Sequence, residues 1–296
     1  MLHGQWVVVN ERLRALDAIE KVLGRSESRG GKERHLLVLD LKGPFPRAAI
    51  SVGDVDRAAH VGVLVPGTTS TVSGTMDNLD LAAENLQAEA VALAGLEDED
   101  VAMVSWLDCH APAELVDAAS RDYASAGAGD LAGFTRGVSA SNAQISNDID
   151  PVHITVSAHS YGAVLGGDAA SIPGSEIDDV VVYGAPGAGN GPASGIGRFS
   201  LLAPGDEISL YHDLGAWTTE LGEVPYDVFV DTSQNPRIVP SDGWERLSAL
   251  EGMGEAGVDR DGSKGHSEYL SPGTRSHFNI AGVIAGRYDL LEAGDG

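Results

Sequence analysis

The stretch His153-Ile-Thr-Val-Ser-Ala-His-Ser160-Tyr-Gly162-Ala-Val-Leu-Gly-Gly167 decides the fold, because it joins a short apolar strand, a serine-containing turn and a helix. Its core, Ala158 to Gly162, matches the nucleophile-elbow pattern G-x-S-x-G with alanine in the first position. The residues two before and two after such a serine come close together, so both must be small. The sequence therefore predicts Ser160 as a nucleophile; the alternative role is a helix N-cap.

Apolar runs on both sides of this stretch indicate strands that alternate with helices. Strands are predicted at 35–40, 47–51, 60–65, 101–106, 178–183 and 198–203, and helices at 11–23, 80–95, 113–123, 130–144 and 275–285. Gly43 and Pro44 mark a turn that makes the first two strands an antiparallel hairpin, and Gly127 and Gly129 are expected to separate two helices. The alternation predicts an α/β fold with a doubly wound, mostly parallel sheet and helices on both faces.

The domain organisation follows from the same pattern. Residues 1–34 are predicted to form an N-terminal helix and linker, and residues 35–296 a single α/β domain. Between about 209 and 262 no simple period is present, and Trp217, Tyr226 and Trp244 indicate that this stretch packs on the core. We expect an irregular insertion there that lines a pocket at the carboxyl ends of the strands.

Composition limits the classes of partner. The 296 residues are 43% hydrophobic and carry a formal net charge of −25, a field that repels nucleic acid, anionic membranes and polyanionic substrates. The single cysteine, Cys109, excludes an internal disulfide and fits a reducing compartment. No apolar run is long enough to span a membrane, and the first ten residues lack a signal-peptide pattern. We expect a cytoplasmic protein without integral membrane association, although removal of an export signal would leave the same sequence; the oligomeric state is not indicated.

A serine nucleophile needs a histidine base and an acid that orients the histidine. In elbow-type hydrolases the chain order is serine, acid, histidine. His266 is the preferred base, because it lies in a glycine-flanked loop after the last predicted strand. His277 falls at helical spacing and is expected to be structural, and His212 follows the preferred acid too closely. That acid is Asp206, which comes directly after a strand in a Pro-Gly turn. Its rivals are Asp213, Asp227 and Glu207.

The remaining site residues are predicted from their neighbours. An oxyanion hole needs two backbone N–H donors, for which Tyr161 and Thr68 are the candidates. Thr69, His159 and Cys109 are the candidate substrate-binding residues; His159 is expected to pack against strands without titrating, and a packing role is the alternative for Cys109. Zinc, calcium and nucleotide motifs fail their templates, so neither a metal nor a cofactor is predicted.

Several short blocks carry a family resemblance. They are Val55-Asp-Arg-Ala-Ala-His-Val61, Val65-Pro-Gly67, Trp106-Leu107, Ala111-Pro112, Ala158-His-Ser-Tyr-Gly162, Tyr183-Gly-Ala-Pro-Gly187, Ala203-Pro-Gly-Asp206, Gly265-His-Ser267 and Tyr269-Leu270. From about residue 35 to 285 the chain resembles the actinobacterial α/β-hydrolase family long catalogued as a domain of unknown function. The resemblance implies the α/β-hydrolase fold and a triad of Ser160, Asp206 and His266. Two departures are Ala158, where the family usually has glycine, and Asp108-Cys109 in place of a Gly-Tyr-type pair.

These residues together predict a serine esterase of the carboxylesterase or lipase kind, which cleaves a small-molecule or lipid-like ester through an acyl-enzyme. Acyltransferase, thioesterase and peptidase activities use the same triad and stay open as alternatives. An α/β-hydrolase-fold binding protein without turnover is the alternative from a different class.

Overall fold

A computed structural model describes residues 2–27, 31–109, 122–145, 150–206, 243–254 and 257–294, with two short strands at 217–219 and 222–224. The central sheet has eight strands in the order β1-β2-β4-β3-β5-β6-β7-β10. Its strands are β1 (Arg34–Asp40), β2 (Arg47–Val52), β3 (His60–Val65), β4 (Val101–Leu107), β5 (His153–His159), β6 (Asp179–Tyr183), β7 (Gly197–Leu201) and β10 (Glu245–Leu247). Two small hairpins pair β8 (Trp217–Thr219) with β9 (Gly222–Val224) and β11 (Gly252–Met253) with β12 (Asp259–Arg260).

Helices cover both faces of this sheet. They are α1 (Leu2–Leu23), α2 (Val72–Ala94), α3 (Asp122–Ile145), α4 (Gly162–Ala170) and α5 (Arg275–Ile284), with 3₁₀ turns at Gly24–Glu27, Asp98–Asp100 and Tyr288–Leu290. Buried residues of α3 and α4, including Leu131 and Leu165, form one core, and those of α1, α2 and α5, including Ile19, Leu86 and Ile280, form the other. The prediction of an α/β fold with helices on both faces is confirmed.

Strand direction places the site. β2 runs antiparallel to both of its neighbours, β1 and β4, which confirms the predicted hairpin. All other neighbouring pairs in the sheet are parallel. The carboxyl ends of β3, β5, β6 and β7 therefore lie along one edge, where open α/β sheets bind ligands.

Two helices are longer than the sequence pattern predicted. α1 begins at Leu2 and not near residue 11, and α2 begins at Val72 and not at 80. The start of α2 is set by Thr71, whose side chain accepts a hydrogen bond from the N–H of Gly74 as an N-cap. α2 ends at Gly95, which has the left-handed φ of +64° that closes many helices.

The predicted break at Gly127 and Gly129 is wrong, because α3 runs through both residues. A Cβ atom added to Gly127 would lie 2.6 Å from Cδ1 of Leu165 and 3.0 Å from Cβ of Cys109. The glycine therefore lets α3 pack closely against α4 and does not end a helix. The other predicted helix, at 113–123, falls almost entirely outside the described residues.

The stretch predicted to be irregular, about 209–262, contains the last strand of the central sheet. β10 pairs in parallel with β7, with Glu245 opposite Phe199 and Leu247 opposite Leu201. β10 was missed because it is only three residues long and starts with two charged side chains. Most of residues 207–242 lie outside the described part of the chain, so the pocket-lining role stays a prediction.

Candidate active site

The elbow has the geometry that its sequence predicts. Ser160 stands between β5 and α4 with a φ of +53°, a left-handed conformation that is unfavourable for residues other than glycine. Its N–H donates to the carbonyl of Tyr183 at 3.0 Å, which fixes the turn on β6. A Cβ atom on Gly162 would lie 2.5 Å from the carbonyl oxygen of Pro66 and 2.6 Å from that of Val65. Only glycine therefore allows the end of β3 to approach the helix start.

Ala158 replaces the first glycine of the elbow pattern, and β5 and α4 still pack closely there. It is fully buried, and its Cβ atom faces Gly166 of α4. A Cβ atom added to Gly166 would lie 3.2 Å from that of Ala158, which is tighter than ordinary packing. Because position 166 of α4 is glycine, the helix leaves room for the Cβ atom of Ala158.

The three predicted catalytic side chains form one hydrogen-bonded chain. Ser160 Oγ lies 2.9 Å from His266 Nε2, and His266 Nδ1 lies 3.0 Å from Asp206 Oδ1 and 3.2 Å from Oδ2. Asp206 is fully buried and Ser160 is 8% exposed, whereas the His266 side chain is 35% exposed. With the proton on Nδ1, His266 donates to the carboxylate and leaves Nε2 free to accept the serine proton.

Two loops at the sheet edge carry the base and the acid. Asp206 follows β7, and His266 lies in a turn whose Gly265 N–H donates to the carbonyl of Pro204 at 3.0 Å. The rival base His277 lies in α5 and is 2% exposed, with neither ring nitrogen hydrogen-bonded to any described residue. The other rivals, His212, Asp213, Asp227 and Glu207, lie outside the described residues.

The loop after β3 lies against the nucleophile, where the second oxyanion donor is predicted. A Cβ atom on Gly67 would lie 2.8 Å from Cβ of Ser160. Thr68 and Thr69 follow directly; Thr68 is partly exposed, and Thr69 is exposed with a φ of +62°. On the other side, the Tyr161 phenol oxygen accepts a hydrogen bond from the N–H of Ala124 at 3.1 Å, in the first turn of α3. The oxyanion roles of the Tyr161 and Thr68 amides stay predictions.

Comparison with known proteins decides the family. Residues 44–200 match the sequence model of a family described as alpha/beta hydrolase. An uncharacterized protein of Mycobacterium tuberculosis is 31% identical over 238 residues, which are 76% of this chain and 84% of that protein. The chain belongs to the alpha/beta hydrolase family. A second uncharacterized M. tuberculosis protein is 32% identical over 145 residues, 48% of this hydrolase and 21% of that chain.

One solved structure, an esterase, agrees with the fold of this chain. Esterase LipW from Mycobacterium marinum superimposes with a TM-score of 0.51 over 95% of this chain and 90% of its own, at 12% sequence identity. An esterase from Pyrobaculum calidifontis gives a TM-score of 0.48 at 13% identity, over 95% of this chain and 92% of its own. At such identities the likeness to LipW speaks for the fold alone.

Tyr269 contacts the acid of the triad, a role that its sequence pattern does not indicate beyond membership of a family block. Its hydroxyl donates to Asp206 Oδ2 at 2.5 Å and accepts from the N–H of Ala203 at 2.9 Å. The side chain is 1% exposed, and burial together with the neighbouring carboxylate raises the pKa of the phenol. The available signal was the spacing, since Tyr269 comes three residues after His266 in the same turn.

Gly184 is a second residue whose role could not be read from the sequence. It ends β6 with a φ of +54°, and the sequence pattern predicted only a bend there. A Cβ atom at this position would lie 2.8 Å from Asp206 Oδ2 and 3.1 Å from His266 Nδ1. Any side chain would therefore displace the hydrogen bond between acid and base.

His159 lies behind the triad in this hydrolase. Its Nε2–H donates to the backbone carbonyl of His266 at 2.7 Å. Its ring is stacked on that of Tyr183, with 5.2 Å between the ring centroids. Burial, together with the nearby imidazole of His266, lowers the pKa of His159 to about 4, so the ring is neutral at pH 7. His159 thus contacts the backbone of His266, and its substrate-binding role stays a prediction.

Cys109 is partly buried on the α3 side of the sheet. It contacts the core formed by α3 and α4, next to Gly127. Burial and the neighbouring Asp108 raise the pKa of the thiol to about 12, so it is protonated at neutral pH and a weak nucleophile. These contacts favour the packing role over a substrate-binding one.

The part of the chain that the structure describes contains no group of three or more His, Cys, Asp or Glu side chains placed to hold a metal ion. None of its helices combines the length and apolar character needed to cross a bilayer.

Proposed function

We propose that this protein is a serine hydrolase that cleaves a carboxylic ester through an acyl-enzyme intermediate. The observation that carries the proposal is the unbroken chain of hydrogen bonds from Ser160 Oγ through His266 to the buried Asp206. A positive φ at a serine is costly, and such strain is found preferentially at functional sites. The elbow and the triad thus support the same role for Ser160.

Acylation starts when Ser160 Oγ attacks the ester carbonyl carbon while His266 Nε2 removes the hydroxyl proton. The carbonyl oxygen becomes an oxyanion, for which the amides of Tyr161 and Thr68 are the proposed donors. The tetrahedral intermediate then breaks the bond to the leaving alkoxide, which takes the proton from His266. The products of this step are the alcohol and an acylated Ser160.

Deacylation repeats the sequence with water. His266 removes a proton from the attacking water, and the second tetrahedral intermediate expels Ser160 Oγ, which regains the proton as the carboxylic acid leaves. Throughout, Asp206 keeps Nδ1 of His266 protonated and stabilises the imidazolium by a charge-assisted hydrogen bond. No metal or cofactor takes part in this proposed sequence.

The proposed substrate is an uncharged, small-molecule or lipid-like ester. A net charge of −25 disfavours anionic substrates at a distance, before any contact in the pocket. The fold is shared with an esterase of M. marinum, which supports the hydrolase class. The complete hydrogen-bonded triad argues against a binding protein without turnover.

The deciding experiment is labelling with a fluorophosphonate probe, which phosphonylates activated serines. The native protein should be labelled and should cleave p-nitrophenyl esters; the Ser160→Ala variant should do neither. Ser105→Ala is the matched control, because its hydroxyl is buried in β4 without a hydrogen bond to any described residue, and it should behave as the native protein. An unlabelled native protein that leaves short and long acyl esters intact would overturn the proposal. Product analysis with added alcohol or amine acceptors would separate hydrolase from acyltransferase activity.

A further inference from the structure

Two described side chains donate hydrogen bonds to the carboxylate of Asp206. Its Oδ1 atom receives the shorter hydrogen bond from His266 Nδ1, at 3.0 Å. Its Oδ2 atom receives the hydroxyl proton of Tyr269, at 2.5 Å. The triad thus continues to a fourth side chain, which is 1% exposed.

We propose that Tyr269 is a positioning residue of the triad, whose hydroxyl holds the second oxygen of Asp206 so that the first stays directed at His266. This inference rests on the proposed function of the same site.

The direction of the hydrogen bond is fixed by the other partner of the phenol. Because the N–H of Ala203 donates to the phenol oxygen, the hydroxyl proton points towards Asp206 and not away from it. The elevated pKa of the buried phenol keeps that proton in place at neutral pH. Tyr269 is therefore a permanent donor to the carboxylate.

The ring itself has little freedom to move. Its centroid lies 5.4 Å from that of Tyr183 and 6.1 Å from that of His159. The backbone carbonyl of Tyr269 accepts a hydrogen bond from Ser276 Oγ at 2.7 Å, which fastens the turn to α5. A donor held at both its ring and its backbone can fix the plane of the carboxylate.

Space around the carboxylate is restricted on the side of β6 as well. The Cα atom of Gly184 is so close that an added Cβ would lie 2.8 Å from Oδ2 of Asp206. Gly184 and Tyr269 thus both border Oδ2 of Asp206. Loss of the phenol hydroxyl would release Oδ2 and leave the N–H of Ala203 without its acceptor.

Loss of the tyrosine hydroxyl would act on the hydrogen bond between acid and base. In a Tyr269→Phe variant Oδ2 of Asp206 loses its donor, and the carboxylate is no longer held with Oδ1 directed at His266 Nδ1. The imidazolium that forms during the reaction is then less well stabilised, which lowers kcat.

The test compares Tyr269→Phe with Tyr288→Phe. Tyr288 also donates its hydroxyl to a carboxylate, Asp179 Oδ2 at 2.7 Å, but at the amino end of β6, away from the triad. We expect kcat to fall about 10- to 100-fold in Tyr269→Phe with KM little changed, since a hydrogen bond to a charged group is lost. The proton NMR signal of the His266 Nδ1–H, which lies far downfield when this proton is hydrogen-bonded to a carboxylate, should move upfield or broaden in Tyr269→Phe. Tyr288→Phe should keep the native kcat and the native signal.

A second variant guards against misfolding of the phenylalanine variant. Site-specific 3-fluorotyrosine at position 269 keeps both the shape and the hydroxyl donor, so it should retain a near-native kcat and the native Nδ1–H signal. A native-like kcat and signal in Tyr269→Phe would overturn the proposal, as would a fall in kcat without a change in the signal, which a merely structural role predicts.

A readout independent of turnover separates this proposal from the proposed function. The Nδ1–H signal of His266 should differ between native and Tyr269→Phe protein, whether or not any ester is cleaved. If the fluorophosphonate test fails while the signal differs, the positioning role stands and the hydrolase proposal falls. An unchanged signal contradicts the positioning role alone.

Discussion

His277 illustrates how burial alone changes the chemistry of one residue. It is 2% exposed in α5, and neither ring nitrogen is hydrogen-bonded within the described chain. Burial lowers its pKa to about 4. The ring is therefore neutral at pH 7 and packs as an apolar group.

The depressed pKa of His277 predicts a loss of stability in acid. The unfolded chain takes up a proton near pH 6.5, whereas the folded protein resists protonation until about pH 4. Because the unfolded state binds more protons in this window, the free energy of unfolding falls as the pH drops through it, by up to about 3 kcal/mol. Urea unfolding at several pH values should show a smaller fall in His277→Met, which cannot titrate. Parallel native and variant curves would contradict the prediction.

At the level of single residues, the sequence allowed the triad to be predicted but not its supports. Ser160, Asp206 and His266 each follow a predicted strand or loop in the expected chain order. The structure brings these three side chains within hydrogen-bond distance, while their catalytic roles stay predictions. Tyr269, Gly184 and His159 act through distances between loops that are far apart in sequence. A pattern of residue types carries no such distances, so these roles could not be predicted.

At the level of elements, the packing of α4 depends on a helical glycine. Asp168 Oδ1 accepts a hydrogen bond from the N–H of Asn190 at 2.7 Å, which draws the segment after β6 onto the helix. A Cβ atom on Gly167 would lie 1.9 Å from the carbonyl oxygen of Ala188 in that segment. Because the clash would be with a backbone carbonyl, a change of side-chain rotamer cannot relieve it.

Two glycine-to-alanine changes in helices should have opposite effects. Gly167→Ala should lower the free energy of unfolding by about 2 kcal/mol or more, because the backbone must shift to relieve the clash. Gly137→Ala is the control: it lies in α3 with no atom within 4 Å of the added Cβ. It should raise stability by about 0.5–1 kcal/mol through helix propensity. Thermal unfolding measures both, and a stable Gly167→Ala protein would contradict the packing argument.

Glycine also explains where prediction of the elements failed. A glycine in a helical pattern can end a helix or admit a neighbour, and sequence alone does not separate the two. Gly127 admits Leu165 and Cys109, whereas Gly95 ends α2. The strands were predicted well because buried parallel strands are almost wholly apolar, as β4 is.

At the level of the whole molecule, charge is the property that acts over the longest range. The chain has 44 acidic and 19 basic residues, which gives the net charge of −25. Such a field lowers the local concentration of anions near the surface and fades with added salt.

The field predicts discrimination between esters that differ only in charge. At low salt (about 10 mM, Debye length about 30 Å), kcat/KM for p-nitrophenyl butyrate should exceed that for the anionic mono-p-nitrophenyl succinate. The ratio should shrink several-fold at about 1 M salt, where the Debye length is about 3 Å. A ratio that does not change with salt would assign the discrimination to pocket contacts and contradict the prediction.

The overall topology was predictable because strands and helices alternate, and the crossover connections between parallel strands are almost always right-handed. What could not be predicted is which strand completes the sheet. β10 follows a long stretch without a clear period and is too short for a pattern to register. Its place is decided by pairing with β7.

Base and support share one turn, since His266 and Tyr269 are three residues apart and reach the same carboxylate. Inserting or deleting a single residue between them would change the register of both side chains at once. The same change in the turn between β1 and β2, which carries no triad residue, would leave that register intact. Length variation during evolution should therefore be strictly excluded from residues 266–269.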